Sequence, residues 1–184
     1  YEVHCNAWLE EEGWLSFEDD DHDDLSDIAE ESRAYSLIPG RFYINLEGRE
    51  PRGSVPEDEY DAVRAELKAA LEALEGPDGK KVCARVVEKE DAFRGTHDDI
   101  APDLVAIPNH GFDLKSGFKG HDEVFDVGPR NGMHSFDNAT LFVDDPAVSI
   151  IDADLFDIAP TILDLMDVDY GRTDFDGGSL ITSK

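Results

Sequence analysis

The stretch SVPEDEYDAVRAELKAALEALEGPDG, residues 54–79, constrains the fold more than any other segment. Tyr60, Val63, Leu67, Leu71 and Leu74 recur at three- and four-residue intervals. That spacing gives a helix one apolar face and one charged face. Ser54 and Glu57 have the spacing of a capping box, and Gly76-Pro77 stops the helix. An apolar stripe of this length must be buried on a second layer. The flanking segments supply one. Upstream, Phe42, Ile44 and Leu46 alternate with Tyr43, Asn45 and Glu47, as in a strand. Downstream, Val82, Ala84 and Val86 alternate in the same way. APDLVAIPN (101–109) and ATLFVDD (139–145) are short apolar runs of the kind found in strands buried on both faces. DLFDIAPTILDLMDVD (154–169) predicts a further helix, with Asp157 as N-cap, Pro160 in the first turn, and Ile162, Leu163 and Met166 pointing inward. Strands alternating with helices predict an α/β fold, a sheet with helices on both faces.

The N-terminal YEVHCNAWLEEEGWLSF predicts an extended start, a short helix around residues 7–12 and a turn at Gly13. Val3, Trp8, Leu9, Trp14 and Leu15 are its apolar anchors. Residues 111–129 are rich in Gly and charge and predict a long loop. At 184 residues, with 40% hydrophobic side chains, the chain can bury a real core. No internal repeat or linker divides it, so one domain over 1–184 is expected.

The charge is extreme, with a formal net of -28. It argues against a nucleic-acid partner, which needs a basic face, and against an anionic membrane surface. Two readings of it compete. One is a cation-binding protein. The other, which we prefer, is a salt-adapted cell, where acidic surfaces stay soluble because salt screens their repulsion. The acids run along the whole chain and only seven residues are Lys. The acidic run EDDDHDDLSDIAEES (18–32) lacks the Gly and Glu that a calcium loop requires at its sixth and twelfth positions, so it reads as a solvated loop. No apolar stretch approaches the roughly 20 residues of a membrane span. No secretory signal is visible, and the two cysteines, Cys5 and Cys83, form no CxxC pair. A cytoplasmic setting is expected. No Gly-x-Ser-x-Gly elbow, P-loop or dinucleotide fingerprint is present.

Four segments, taken in order, carry a family resemblance. GMHSFDNATLFV (132–143) resembles the Gly-x-His-x-x-Asp-Asn segment of the type I phosphodiesterase/nucleotide pyrophosphatase branch of the alkaline phosphatase superfamily. DIAPTILDLMDVD (157–169) with DFDGGSL (174–180) is similar to the closing helix and Asp-Gly turn of that superfamily, sulfatases included. YINLEGREPRGSV (43–55) and NAWLEEEGWL (6–15) resemble a narrower group within it, the predicted phosphohydrolases and phosphomutases.

The resemblance implies a phosphoric ester hydrolase acting on a small phosphate ester. Such enzymes hold two divalent metals, usually zinc and in some branches manganese, and attack phosphorus with a Thr or Ser. The histidine of the Gly-x-His motif, one of the metal ligands, maps onto His134. Asp137 is the expected outer partner of that imidazole, or else a turn residue. The nucleophile and the Asp-His-Gly ligand motif have no counterpart here, so the resemblance implies a C-terminal portion of an incomplete alkaline-phosphatase-like domain, inactive without its N-terminal part. Arg49, in the GREPRG turn, is a candidate for clamping substrate phosphate. Ion pairing of Arg49 with Glu47 or Glu50 is the simpler alternative. His97 and His110 sit at the ends of expected strands without a motif, and His4, His22 and His121 have no distinguishing context. A phosphomutase or sulfatase of the same superfamily is the competing activity. A non-catalytic acidic module binding cations or a protein partner is the competing class.

Overall fold

In a computed structural model, the structure describes residues 1–93, 98–121, 123–129, 132, 134 and 139–182. The chain divides into two compact units, residues 1–134 and 135–184.

The first unit is α/β and contains two sheets. Its chain runs β1 (Glu2–His4), α1 (Cys5–Glu11), β2 (Ala34–Ile38), β3 (Arg41–Ile44), α2 (Tyr60–Ala73), β4 (Cys83–Glu88), α3 (Lys89–Ala92), β5 (Leu104–Pro108), β6 (Asp113–Lys115) and β7 (Phe125–Asp126). A four-stranded sheet has the order β2-β3-β5-β4, with every pairing antiparallel. A three-stranded sheet has the order β6-β1-β7, with β1 parallel to β6 and antiparallel to β7.

The expected amphipathic helix is α2, and its Val63, Leu67 and Leu71 are buried. It packs on β3, β4 and β5. The capping box is not made. Ser54 Oγ instead donates to the Ser32 carbonyl at 2.6 Å, and a 3-10 turn over Glu57–Glu59 leads into the helix. The N-terminal anchors Val3, Trp8, Leu9, Trp14 and Leu15 are all buried, with Phe42, Ile44, Val82, Val86, Leu104 and Phe112 in the same core.

Strand β4 departs from the simple alternation. A register shift between Cys83 and Arg85 turns Val82 and Cys83 inward together and leaves Ala84 exposed, as a β-bulge does. The expected loop over 111–129 contains β6 and β7, strands too short to show a period. In the acidic run, Asp24 caps a 3-10 turn over Leu25–Asp27, and Asp27 returns a bond to the Asp24 backbone.

The second unit holds α4 (Ile158–Leu165). The helix starts one 3-10 turn after Asp154, which caps that turn, while Asp157 bonds back to the Asp154 amide. The DFDGGSL turn docks onto the start of this helix. Gly178 N–H donates to Asp157 Oδ1 at 2.8 Å, and Leu180 N–H donates to Thr161 Oγ1 at 2.9 Å. Two sequence expectations fail here. The buried residues of α4 are Pro160 and Thr161, whereas Ile162 and Met166 are exposed. ATLFVDD is not a strand and Phe142 in it is exposed, because no described strand lies beside it to complete its hydrogen bonds.

Candidate functional site

The three-stranded sheet places charged side chains on one face by simple alternation. Val3, Leu114 and Phe125 turn into the core, so their neighbours turn the other way. Register aligns Glu2 with Asp113 on one side and Asp126 on the other, and His4 with Lys115. Three carboxylates therefore lie in one row across three strands, with one imidazole and one ammonium in the next.

One ligand atom from each of Glu2, His4 and Asp126 lies within 4.8 Å of the others. Lys115 Nζ sits 2.5 Å from Asp113 Oδ2 and 3.5 Å from Glu2 Oε1, so its charge is committed first to Asp113. That hydrogen bond raises the ammonium pKa of Lys115. His4 is buried and stacks on the exposed His121, ring centroids 3.6 Å apart. Burial, and then His121, lower the His4 pKa against the opposing pull of Glu2 and Asp126. The imidazole is thus held toward the neutral form that binds metals. Gly128 is part of this arrangement, because a Cβ there would lie 2.6 Å from Glu2 Oε1.

His121 also lines an open groove of about 860 Å³ between α1 and residues 123–125, with Trp8 and Phe125 as its aromatic walls and Glu10, Glu11, Glu12 and Glu123 as its acids.

A second polar cluster lies inside the four-stranded sheet. Asp103, 0% exposed, accepts from Arg49 Nη1 at 2.8 Å, Arg49 Nη2 at 2.7 Å, the Tyr60 hydroxyl at 2.6 Å and the Ile44 amide at 2.7 Å. Burial alone would raise the carboxyl pKa, but the donors from Arg49, Tyr60 and Ile44 outweigh it and hold the pKa low. Arg49 Nε donates to Glu50 at 2.9 Å and Nη2 also donates to the Ile44 carbonyl at 2.6 Å. Four hydrogen bonds thus occupy a guanidinium that has five N–H donors. Glu50 is one of the two partners expected for Arg49, and Asp103, the larger one, was not foreseen.

His134 is exposed at the end of the first unit, and Asp137 lies outside the described residues, as does His97. His110 is exposed. The structure does bring His4 and His22 into notice. His22 is buried, with Nδ1 against the Phe118 carbonyl and its ring stacked 3.5 Å from Phe17. The only sequence signal for His4 was its position two residues after Glu2 in a strand.

A family model for type I phosphodiesterase/nucleotide pyrophosphatase matches residues 1–137. The chain belongs to that family. The phosphodiesterase match covers the whole first unit and ends at the Gly-x-His-x-x-Asp segment. Comparisons with curated proteins and with solved structures give no match. Phosphodiesterases of this family typically depend on metal, and the Glu2–His4–Asp126 group has the donor chemistry for a divalent ion, one imidazole with two carboxylates. Among the described residues no helix is long and apolar enough to cross a membrane.

Proposed function

We propose that this protein is a metal-dependent phosphoric ester hydrolase that cleaves phosphodiesters, with His134 as a metal ligand. The observation that carries the reading is the family match over residues 1–137, which includes the His134 motif and the full α/β unit. Divalent metals, zinc or manganese, would polarise the phosphoryl oxygens and stabilise charge in the transition state. His134 would supply a neutral imidazole nitrogen, and Asp137 would fix that ring through its second nitrogen. Arg49 contributes mainly by holding the GREPRG turn against β5, with one Nη1 hydrogen left for a substrate oxygen. The nucleophile is not assigned. The net charge of -28 supports a salt-adapted origin, with the surface acids tolerated because salt screens them.

The test is hydrolysis of bis(p-nitrophenyl) phosphate by the full-length protein that contains this chain, with p-nitrophenyl phosphate and p-nitrophenyl sulfate as competitors, in zinc or manganese and in EDTA. Diester cleavage that EDTA abolishes, and that falls at least about a hundredfold in His134→Ala, supports the reading. Preferred cleavage of the sulfate would replace it with a sulfatase. Unchanged turnover in EDTA would sink metal dependence. For salt adaptation, circular dichroism across a KCl titration should show structure gained with salt, and a flat titration would count against it.

A further inference from the structure

We infer that Glu2, His4 and Asp126 form a binding site for one divalent transition-metal ion, separate from the site that includes His134. The sheet creates the need for a cation there. Like charges directly opposite on neighbouring strands destabilise a sheet, yet Asp113, Glu2 and Asp126 occupy one cross-strand row. Lys115 is the one cation bonded to this row among the described residues. It sits on Asp113 and reaches Glu2 only at 3.5 Å, and among the described residues Asp126 makes no ion pair. A divalent ion between Glu2 and Asp126 would neutralise what Lys115 leaves.

His4 independently points to a ligand. It is 9% exposed, its ring stacks on His121 with centroids 3.6 Å apart, and one ring nitrogen lies within 4.8 Å of both carboxylates. Metal–ligand bonds of about 2.1 Å place neighbouring ligand atoms about 3.5 Å apart, so atoms already within 4.8 Å of one another need to close by about 1.3 Å at most. Asp126 is exposed and Glu2 has a long side chain, so rotation of those two side chains supplies the movement. Gly128 leaves Glu2 the space, since a side chain there would overlap its carboxylate.

One nitrogen and two oxygens suit manganese or zinc better than calcium, which takes six or more oxygens, and better than copper(I), which prefers sulfur. Three protein ligands also leave a coordination position for water or for an oxygen of a bound anion.

Manganese(II) titrations of the protein, followed by electron paramagnetic resonance in 1 M KCl, test the site. That salt shortens the screening length to about 3 Å and suppresses diffuse binding to surface acids. The wild type should bind a tight manganese equivalent that His134→Ala retains. His4→Ala and Asp126→Asn should each weaken it at least about tenfold, and Lys115→Met, which frees Glu2, should tighten it. Asp126→Asn changes an exposed side chain and leaves the fold intact. Unchanged manganese affinity in that variant overturns the inference, whatever His4→Ala does. Loss of the same equivalent in His134→Ala also overturns it, because the ion then belongs to the hydrolytic site.

Discussion

Asp103, the residue just before β5, grips both terminal nitrogens of Arg49, 54 residues earlier in the chain, through hydrogen bonds of 2.8 and 2.7 Å. The pair ties the GREPRG turn to the centre of the four-stranded sheet, and Tyr60 ties the start of α2 to the same carboxylate. One wholly buried charge therefore organises three segments that are distant in sequence.

Asp103→Asn removes the charge but not the volume. An amide has one oxygen to offer where four donors converge, and its NH2 must face at least one of them. Breaking a buried ion pair on one side costs about 3–5 kcal/mol. Tyr60→Phe removes one donor and should cost about 1 kcal/mol. Urea unfolding should rank wild type above Tyr60→Phe and Tyr60→Phe above Asp103→Asn. Equal midpoints for the last two would show that Arg49 contributes nothing through Asp103.

The same carboxylate sets an acid limb. Its pKa is lowered in the folded protein, so the folded state binds its proton less readily than the unfolded chain does. Its contribution is full above the unfolded value of about 3.9 and is lost as pH falls through the lower folded value. The gap in stability between wild type and Asp103→Asn should stay constant from pH 8 to 5 and narrow below about pH 4. Urea midpoints at pH 7, 5 and 3 check this, and a gap that widens in acid would contradict it.

What could be read from the sequence follows from contact range. Helix α2 was legible because five apolar residues repeat within one segment, and β3 because Phe42 and Ile44 alternate. The clamp was not legible. Arg49 suggested a local partner, Glu50, and gave no sign of Asp103, which looked like the start of an apolar strand. The metal group was hidden for the same reason. β1 and β6 are three residues each, too short for a period, and pair across 111 positions. His4 looked ordinary until that pairing placed it between carboxylates. ATLFVDD misled in the opposite direction, since an apolar run becomes a strand only where another strand accepts it. His134 owed its prominence to the family resemblance.

Gly40 closes the turn between β2 and β3 with φ +70°. Its carbonyl accepts from Ala106 N–H at 2.8 Å, and a Cβ there would lie 2.7 Å from the Ala106 carbonyl oxygen. Gly40→Ala therefore combines left-handed strain of about 1–2 kcal/mol with a backbone clash. Gly48 also has a positive φ, +80°, but nothing within 4 Å of the added carbon. Gly48→Ala should show the strain alone. Thermal unfolding should place Gly40→Ala clearly below Gly48→Ala, and coincident curves would mean that the β3–β5 contact yields without cost.

Both cysteines are buried and unpaired. Burial raises the Cys5 thiol pKa to about 12 and that of Cys83 to about 11. The reactive species is the thiolate, which at pH 8 is then a very small fraction of either group. Steric burial adds to this, with Cys5 at 2% and Cys83 at 7% exposure. A chromogenic disulfide reagent at pH 8 should therefore label neither thiol in the native protein and both in guanidinium. Cys83 lies beside the β4 bulge, where hydrogen bonding is interrupted. Its labelling should begin at lower denaturant than that of Cys5, which sits at the start of α1 within the core. Simultaneous labelling of the two would show that the bulge opens only with the whole unit, whereas rapid native labelling of Cys5 would show that the three-stranded sheet opens on its own.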